Sequence, residues 1–347
     1  MKPRFGFARR GHQRETSAVG EGGATELTGD AYRAVPILAQ PTWGAEIAAY
    51  FFFGGISSGA GALGALALLA GGPYRRRFGR VAQCIALGAL LPCPPLLIAD
   101  LGRPQRFHHM LRIFKPSSPM NLGAWTLAVH GALTTAAAGL ALGRATGVLP
   151  APLRERWPER AIAAAALAPA LTLGGYTGVL LGTTSVPVWS TSPLLGGLFM
   201  ASSLSTGLAA TSLAAMLSPG DVPAAVERTN ARLDAAFGAA ELALLGGYVA
   251  GSSRSARALL RGQPGVLLAG AAVATTAGAA LDLLSAQPAR RIPGLAVLAH
   301  GLVLLGGALL RTAVVQAGKA SATDREATLA ATQPSRRAPG WGPRPPV

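Results

Sequence analysis

A carboxyl group at the head of the first long apolar run is the first candidate for chemistry. Glu46 lies in WGAEIAAYFFFGGISSGA, four residues before Tyr50, so the two side chains share one face of a helix. An ionisable group within a lipid bilayer is energetically expensive and is usually functional. We therefore expect Glu46 to transfer protons; the alternative is an interfacial glutamate that reaches out to water.

Five more ionisable groups lie within apolar runs or at their ends: Asp100, His130, Glu241, Asp282 and His300. Together with the first glutamate they offer a proton path across a membrane, and we assign proton transfer to Asp100, His130 and Glu241. The alternative is a set of separate, locally paired groups. Asp282 lies near the end of its run, so for this residue we favour the alternative, in which its side chain is simply exposed to water.

The loop between the second and third apolar runs, IADLGRPQRFHHMLRIFKPSSPMNLGAW, is richer in special residues than a turn requires. Its glycine and prolines forbid a continuous helix. Asp100 and Arg103 lie on either side of a turn, which predicts an ion pair that holds the loop. Ser118 or Asn121 is expected to cap the helix that follows.

Three further basic residues of the loop, Arg106, Arg112 and Lys115, predict a docking surface for a partner protein or contacts to lipid phosphates. The two histidines beside them, His108 and His109, are too close together to clamp one metal ion easily.

The composition indicates a membrane protein. Half of the 347 residues are hydrophobic and 13% are charged, whereas soluble domains carry about 25% charged residues. The net charge of +16 comes from arginines scattered between apolar runs, which disfavours nucleic-acid binding and suits lipid headgroups. Two cysteines cannot hold an iron–sulfur cluster, which needs about four thiolates. No nucleotide loop, metal-ligand spacing or hydrolytic triad is evident.

About eight apolar runs are each long enough to cross a bilayer, and each must be helical there. They predict an all-α membrane protein with spans near 46–70, 81–99, 122–142, 161–182, 194–217, 235–251, 266–284 and 294–315. Residues 1–40 and 317–347 are polar or proline-rich and are expected to be disordered tails.

An internal similarity predicts how the spans are grouped. FFFGGISSG at Phe51–Gly59 aligns with FMASSLSTG at Phe199–Gly207, which matches the first span with the fifth. Each repeat then holds four helices in the same orientation, so we expect two parallel four-helix bundles, residues 41–190 and 191–316. The alternative is chance likeness between helices rich in small residues.

The distribution of arginine predicts the orientation. Loops after the first, third, fifth and seventh spans carry more arginine than the other loops, which places them in the cytoplasm and both termini outside it. The chain is expected to be a multi-pass protein of a bacterial or archaeal cell membrane.

Several segments, in order, resemble the membrane subunit of the NrfD/polysulfide-reductase type. They are the opening helix WGAEIAAYFFFGGISSGA, then ADLGRP-x-RF and KPSSPM-x-LGAW in the loop, then YTGVLLG, PVWSTSPLLGGLF and SSLSTG. The resemblance extends over about Trp43–Gly207, and beyond that by hydropathy alone.

The resemblance implies a membrane anchor that reacts with menaquinone or ubiquinone. It implies electron exchange with an iron–sulfur, ferredoxin-like subunit and, through that subunit, with a catalytic subunit, often a molybdopterin enzyme. The quinone site would be formed by Glu46, Tyr50 and Tyr176, with Arg103 at its mouth. No catalytic residue and no haem or metal are expected in this chain, although paired histidines such as His130 and His300 are typical haem ligands.

Two other classes of function remain open at the level of sequence. A secondary transporter, or a proton-translocating membrane protein without a redox partner, also fits parallel repeats and membrane acids. A purely structural anchor fits the apolar runs but requires no acid at Glu46.

Overall fold

The computed structural model describes residues 37–218, 223–252, 256–287 and 294–332. Helices dominate these residues and no strand occurs among them, so the predicted all-α fold is confirmed. Eight of the described helices are long and apolar enough to cross a membrane. They are α1 (Ala45–Ala70), α2 (Pro73–Asp100), α3 (Pro119–Thr146), α4 (Arg156–Gly182), α5 (Leu195–Leu217), α6 (Ala224–Gly251), α7 (Gly262–Ser285) and α8 (Leu295–Thr323).

Proline and polar residues set the helix ends around the long loop. Helix α2 is interrupted near Pro92, between segments Pro73–Leu90 and Cys93–Asp100. A 3-10 helix, Pro104–Leu111, follows it. Ser118 caps α3 by accepting a hydrogen bond from the Asn121 N–H at 3.4 Å. Other short helices are Ala151–Arg154, Pro187–Ser190, Ala256–Leu260 and Arg325–Thr332.

Asn121 holds the loop together instead of capping the helix. Its Nδ2 donates to the carbonyl oxygens of Met110, at 2.7 Å, and Ile113, at 3.0 Å. Its Oδ1 accepts from the Lys115 N–H at 2.6 Å. One side chain therefore satisfies three backbone groups that a non-helical segment would leave without partners.

The helices pack in two sets of four, α1–α4 and α5–α8. In each set every helix packs against the next one along the chain, and the fourth packs back against the first. The sets meet where α1 crosses α5. A Cβ atom on Gly59 would overlap the Ser203 carbonyl group, and one on Gly207 would overlap the backbone of Gly59 and Ala60. Small residues permit this close approach of two helix backbones. The internal duplication itself stays a prediction.

The C-terminal boundary was predicted too early. Helix α8 continues through residue 317 to Thr323, and a further helix, Arg325–Thr332, follows. The last turns of α8 are rich in small residues, which allow close packing. The Trp189 ring fills the space beside Gly318, and its Nε1 donates to the Val314 carbonyl at 2.8 Å. Most of the predicted tails, residues 1–36 and 333–347, lies outside the described residues.

Candidate functional site

An apolar cavity of about 360 Å³ lies within the first set of helices. It is enclosed by the start of α1, the end of α2, the 3-10 helix, the start of α3 and the end of α4. Successive spanning helices alternate in direction, so these ends share one membrane face, which we call the first face. The volume lies in the range of about 300–1,000 Å³ that is typical of ligand pockets.

Two tyrosines from different helices line this cavity, Tyr50 from α1 and Tyr176 from α4. Tyr50 is 5% exposed, and no hydrogen bond of its hydroxyl group to another described residue is found. The Tyr176 hydroxyl donates to the Pro119 carbonyl oxygen. Its ring lies against Gly123, where a Cβ atom would overlap it. Tyr176 is thus fixed in place, while the Tyr50 hydroxyl remains available to a ligand.

Two acidic residues, Asp100 and Glu46, lie at the first face. Asp100 lines the cavity, whereas the exposed Glu46 does not, although the two carboxyl groups interact electrostatically. Arg103 is exposed and is not part of the lining. The predicted ion pair between Asp100 and Arg103 is absent from the structure, because the arginine side chain turns to the outside at the start of the 3-10 helix.

His130 lies deeper and faces α1 rather than the cavity. Its Nε2 lies 2.9 Å from the Ser57 hydroxyl oxygen and 3.4 Å from that of Thr134. Its Nδ1 is buried without a partner in the described part of the chain. The next residue, Gly131, does line the cavity. His130 is therefore separated from the cavity by the backbone of its own helix.

The loop residues predicted to dock a partner do not line the cavity but lie on or next to the 3-10 helix that contributes to its wall. Arg106, Arg112 and Lys115 are all exposed. Phe107 and Leu111, on the same 3-10 helix, line the cavity and are nevertheless 45% and 39% exposed. A protein seated on this basic and apolar surface would cover the cavity.

A buried arginine that the sequence analysis did not single out connects the two sets of helices. Arg311, on α8, is fully buried. It donates to the Phe51 carbonyl at 2.8 Å, to the Ser202 hydroxyl at 2.8 Å and to the Ser203 hydroxyl at 3.1 Å. Its charge is opposed by Glu241, which also accepts from the Thr275 hydroxyl group at 3.4 Å. The available signal was a lone basic residue inside an apolar run.

The second set also contains the residues around Asp282, for which exposure to water was the favoured interpretation. That interpretation is wrong: Asp282 is 5% exposed, because α7 packs along α8. Its Oδ1 lies 3.8 Å from His300 Nε2. His130 and His300 therefore lie in different sets with different neighbours, and nothing in the structure brings them together as a ligand pair.

Comparisons with known proteins agree with this architecture. A family model described as "Polysulphide reductase, NrfD" matches residues 36–259, which is more than half of the chain. No curated protein matches the chain. The matched residues include α1 to α6, and with them the whole cavity and the loop at its mouth.

Proposed function

The chain belongs to the NrfD, or polysulphide reductase, family of multi-pass membrane proteins, and we propose that it is the quinone-reactive membrane anchor of an oxidoreductase complex. Menaquinone or ubiquinone would bind in the cavity of the first set. Its electrons would pass to or from an iron–sulfur subunit that is linked to a catalytic subunit, such as a molybdopterin enzyme.

The observation that carries the proposal is the apolar cavity with a single unpartnered tyrosine hydroxyl inside it. A quinone head is a flat apolar ring with two carbonyl oxygens, so it needs an apolar slot and a hydrogen-bond donor. The Tyr50 hydroxyl is such a donor, and Tyr176 presents a second aromatic ring.

Reduction of a quinone takes up two protons with two electrons, so the cavity needs a proton-exchanging group that reaches water. Asp100 lines the cavity and Glu46 lies outside it, exposed, and the two interact electrostatically. We propose that Asp100 exchanges protons with the quinone and that Glu46 relays them to water. Glu46→Gln should then lower quinol turnover while the complex stays assembled, and full activity would refute the relay.

The partner would sit on the basic loop. The exposed side chains of Arg106, Arg112 and Lys115 attract an acidic surface, and the exposed Phe107 and Leu111 give it an apolar centre. A partner there brings its cluster as close to the cavity as the fold permits and excludes water from the quinone. With the predicted orientation, this is the non-cytoplasmic face.

Filling the cavity tests the proposal directly. Ala128 lines the cavity, and Ala136, two turns further along α3, faces outward. In the full chain purified in detergent, Ala128→Trp should weaken binding of a short-chain menaquinone or ubiquinone analogue at least about tenfold, whereas Ala136→Trp should leave it unchanged. Equal binding by the two variants would contradict a quinone site here.

A proton-translocating protein without a redox partner is the second candidate, because charged groups are buried in the second set. Purification from membranes under mild detergent separates the two. A quinone subunit should bring a protein with iron–sulfur absorption, and a chain that repeatedly purifies alone would favour the second candidate.

A further inference from the structure

Three ionisable side chains from three helices converge inside the second set. They are Asp234 on α6, Asp282 on α7 and His300 on α8, and all three are buried. One ligand atom from each lies within 4.8 Å of the corresponding atoms of the other two. No spacing in the sequence signals this cluster, because its members are brought together only by helix packing.

The surroundings of the two carboxyl groups are acidic. Asp234 interacts electrostatically with Glu241, and Asp282 interacts with Asp234 and Glu227. Among the described residues, neither carboxyl group has a lysine or arginine within ion-pair distance, and the nearby buried Arg311 is engaged by Glu241. Two carboxyl groups buried this close together are ionised at the same time only if positive charge balances them.

Two atoms of the cluster lack a protein partner. The Ser205 hydroxyl donates to Asp234 Oδ1 at 2.9 Å, but Asp234 Oδ2 is buried without a hydrogen bond. His300 Nδ1 is likewise buried without one, but it lies on the far side of the ring from Nε2, the nitrogen that faces Asp282, so the unpartnered atom that points to a ligand of this cluster is Asp234 Oδ2. Asp234 is 1% exposed and His300 is 2% exposed, so neither side chain turns to bulk water for compensation. Unsatisfied buried polar atoms in a native structure point to an additional ligand.

A cavity of about 350 Å³ gives access to the cluster. Its lining includes Asp282, His300, Glu227, Asn230 and Ser285. It lies where α7 ends and α8 begins, which is the membrane face opposite the cavity of the first set. Although the chain is strongly basic, the described lining of this cavity contains acidic and neutral oxygen atoms and one histidine, and no lysine or arginine that would repel a cation.

We propose that Asp234, Asp282 and His300 bind a divalent metal ion of the zinc type. One imidazole nitrogen and two carboxylate oxygens are a ligand set that such ions accept, with water in the remaining position. The ion's two positive charges balance the two carboxylates. Tetrahedral bonds of 2.0–2.2 Å place neighbouring ligand atoms about 3.4 Å apart, so the 3.8 Å between Asp282 and His300 needs only a small contraction.

The test uses Zn²⁺ as the probe and the full chain in detergent, with His108 and His109 replaced by glutamine so that no exposed imidazole of the long loop competes for the ion. Equilibrium dialysis with metal analysis should give one Zn²⁺ per chain. Asp234→Asn and His300→Gln should each weaken binding on the order of 100-fold. Glu155→Gln, which removes an exposed carboxylate from the same membrane face, should not change it. No saturable Zn²⁺ binding, or equal binding by all variants, would overturn the proposal.

A spectroscopic measurement keeps the test decisive if a cluster variant fails to fold. Zinc K-edge absorption on the protein with an intact cluster should show one imidazole and otherwise oxygen ligands at about 2.0–2.2 Å. A sulfur ligand would place the ion on Cys84 or Cys93, and absence of imidazole would exclude His300; either result would overturn the proposal. The site is independent of quinone binding, so the two proposals stand or fall separately.

Discussion

The two sets of helices use their interiors in opposite ways. In α1–α4 the interior opens into an apolar cavity whose polar groups are few, and the Tyr50 hydroxyl in its lining has no hydrogen-bond partner among the described residues. In α5–α8 the interior holds the charged residues Arg311 and Glu241 and the cluster of Asp234, Asp282 and His300. The cavity of this set lies at the membrane face opposite the first face. The same order of helix packing therefore supports a site for an apolar ligand in one set and sites for charge in the other.

The difference lies in which side chains occupy the interior. Among α1–α4, aromatic, aliphatic and small side chains line an open cavity. Where α8 meets α1 and α5, the space is filled by the Arg311 guanidinium group, which donates to three neighbouring oxygens. Removal of a polar side-chain group from the second set should therefore lower the stability of the fold, whereas removal of one from the cavity of the first set should weaken ligand binding.

The largest expected effect is on the stability of the second set. Arg311→Leu leaves the Phe51 carbonyl without its donor and removes the positive charge that interacts with the buried Glu241. We expect the free energy of unfolding in detergent to fall by about 3–5 kcal/mol. The double variant Arg311→Leu with Glu241→Leu should recover much of this loss. A single variant as stable as the wild-type chain would contradict the charge-filled interior.

The contact between the sets comes next. Gly207→Val places a side chain into the backbone of α1 at Gly59, and overpacking of this kind costs about 1–3 kcal/mol. Gly139→Val, on α3, is the matched control, because no atom lies within 4 Å of a Cβ there. Thermal unfolding of the two variants should differ clearly; equal midpoints would show that the crossing of α1 and α5 is looser than described.

Removal of one tyrosine hydroxyl from each set of helices tests the difference between the two interiors. Tyr50→Phe should weaken quinone binding up to about tenfold and leave unfolding unchanged, since its hydroxyl makes no hydrogen bond to the residues that the structure describes. Tyr248→Phe, in the second set, loses a 2.9 Å bond to the Val188 carbonyl, so it should lower stability by about 1 kcal/mol and leave quinone binding unchanged. A loss of stability in Tyr50→Phe together with a loss of quinone binding in Tyr248→Phe would contradict the difference between the two interiors.

The smallest expected effect concerns the loop. Replacing Arg106, Arg112 and Lys115 by glutamine should slow association with an iron–sulfur partner several-fold at low salt and little at high salt, because exposed charges are each worth about 0.2–1 kcal/mol. Arg75→Gln with Arg76→Gln, at the opposite face, is the control. Equal slowing by both sets of changes would mean that the loop is not the docking surface.

Much of this organisation could be predicted from the sequence, because long apolar runs and punctuated loops are local signals. The eight spans, the cap at Ser118 and the family were predicted from such signals and are confirmed. The structure places Tyr50 and Tyr176 in one cavity lining, whereas their proposed contact with quinone stays a prediction.

What could not be predicted depends on packing between distant helices. Glu46 and Tyr50 were predicted to share a helix face, yet Tyr50 is buried and lines the cavity, whereas Glu46 is exposed and does not. Asp282 was assigned to water because hydropathy cannot show that α8 covers it. The convergence of Asp234, Asp282 and His300 depends on the relative rotation of three helices, which no spacing within one of them encodes.

The most direct test of a quinone site in the first set is photoaffinity labelling of the full chain with an azido-quinone, followed by peptide mapping. The account predicts label on the peptides that contain Tyr50, Ala124 to Ala128 and Tyr176, and its loss when unmodified quinone competes. Competable label confined to α5–α8 would contradict the account.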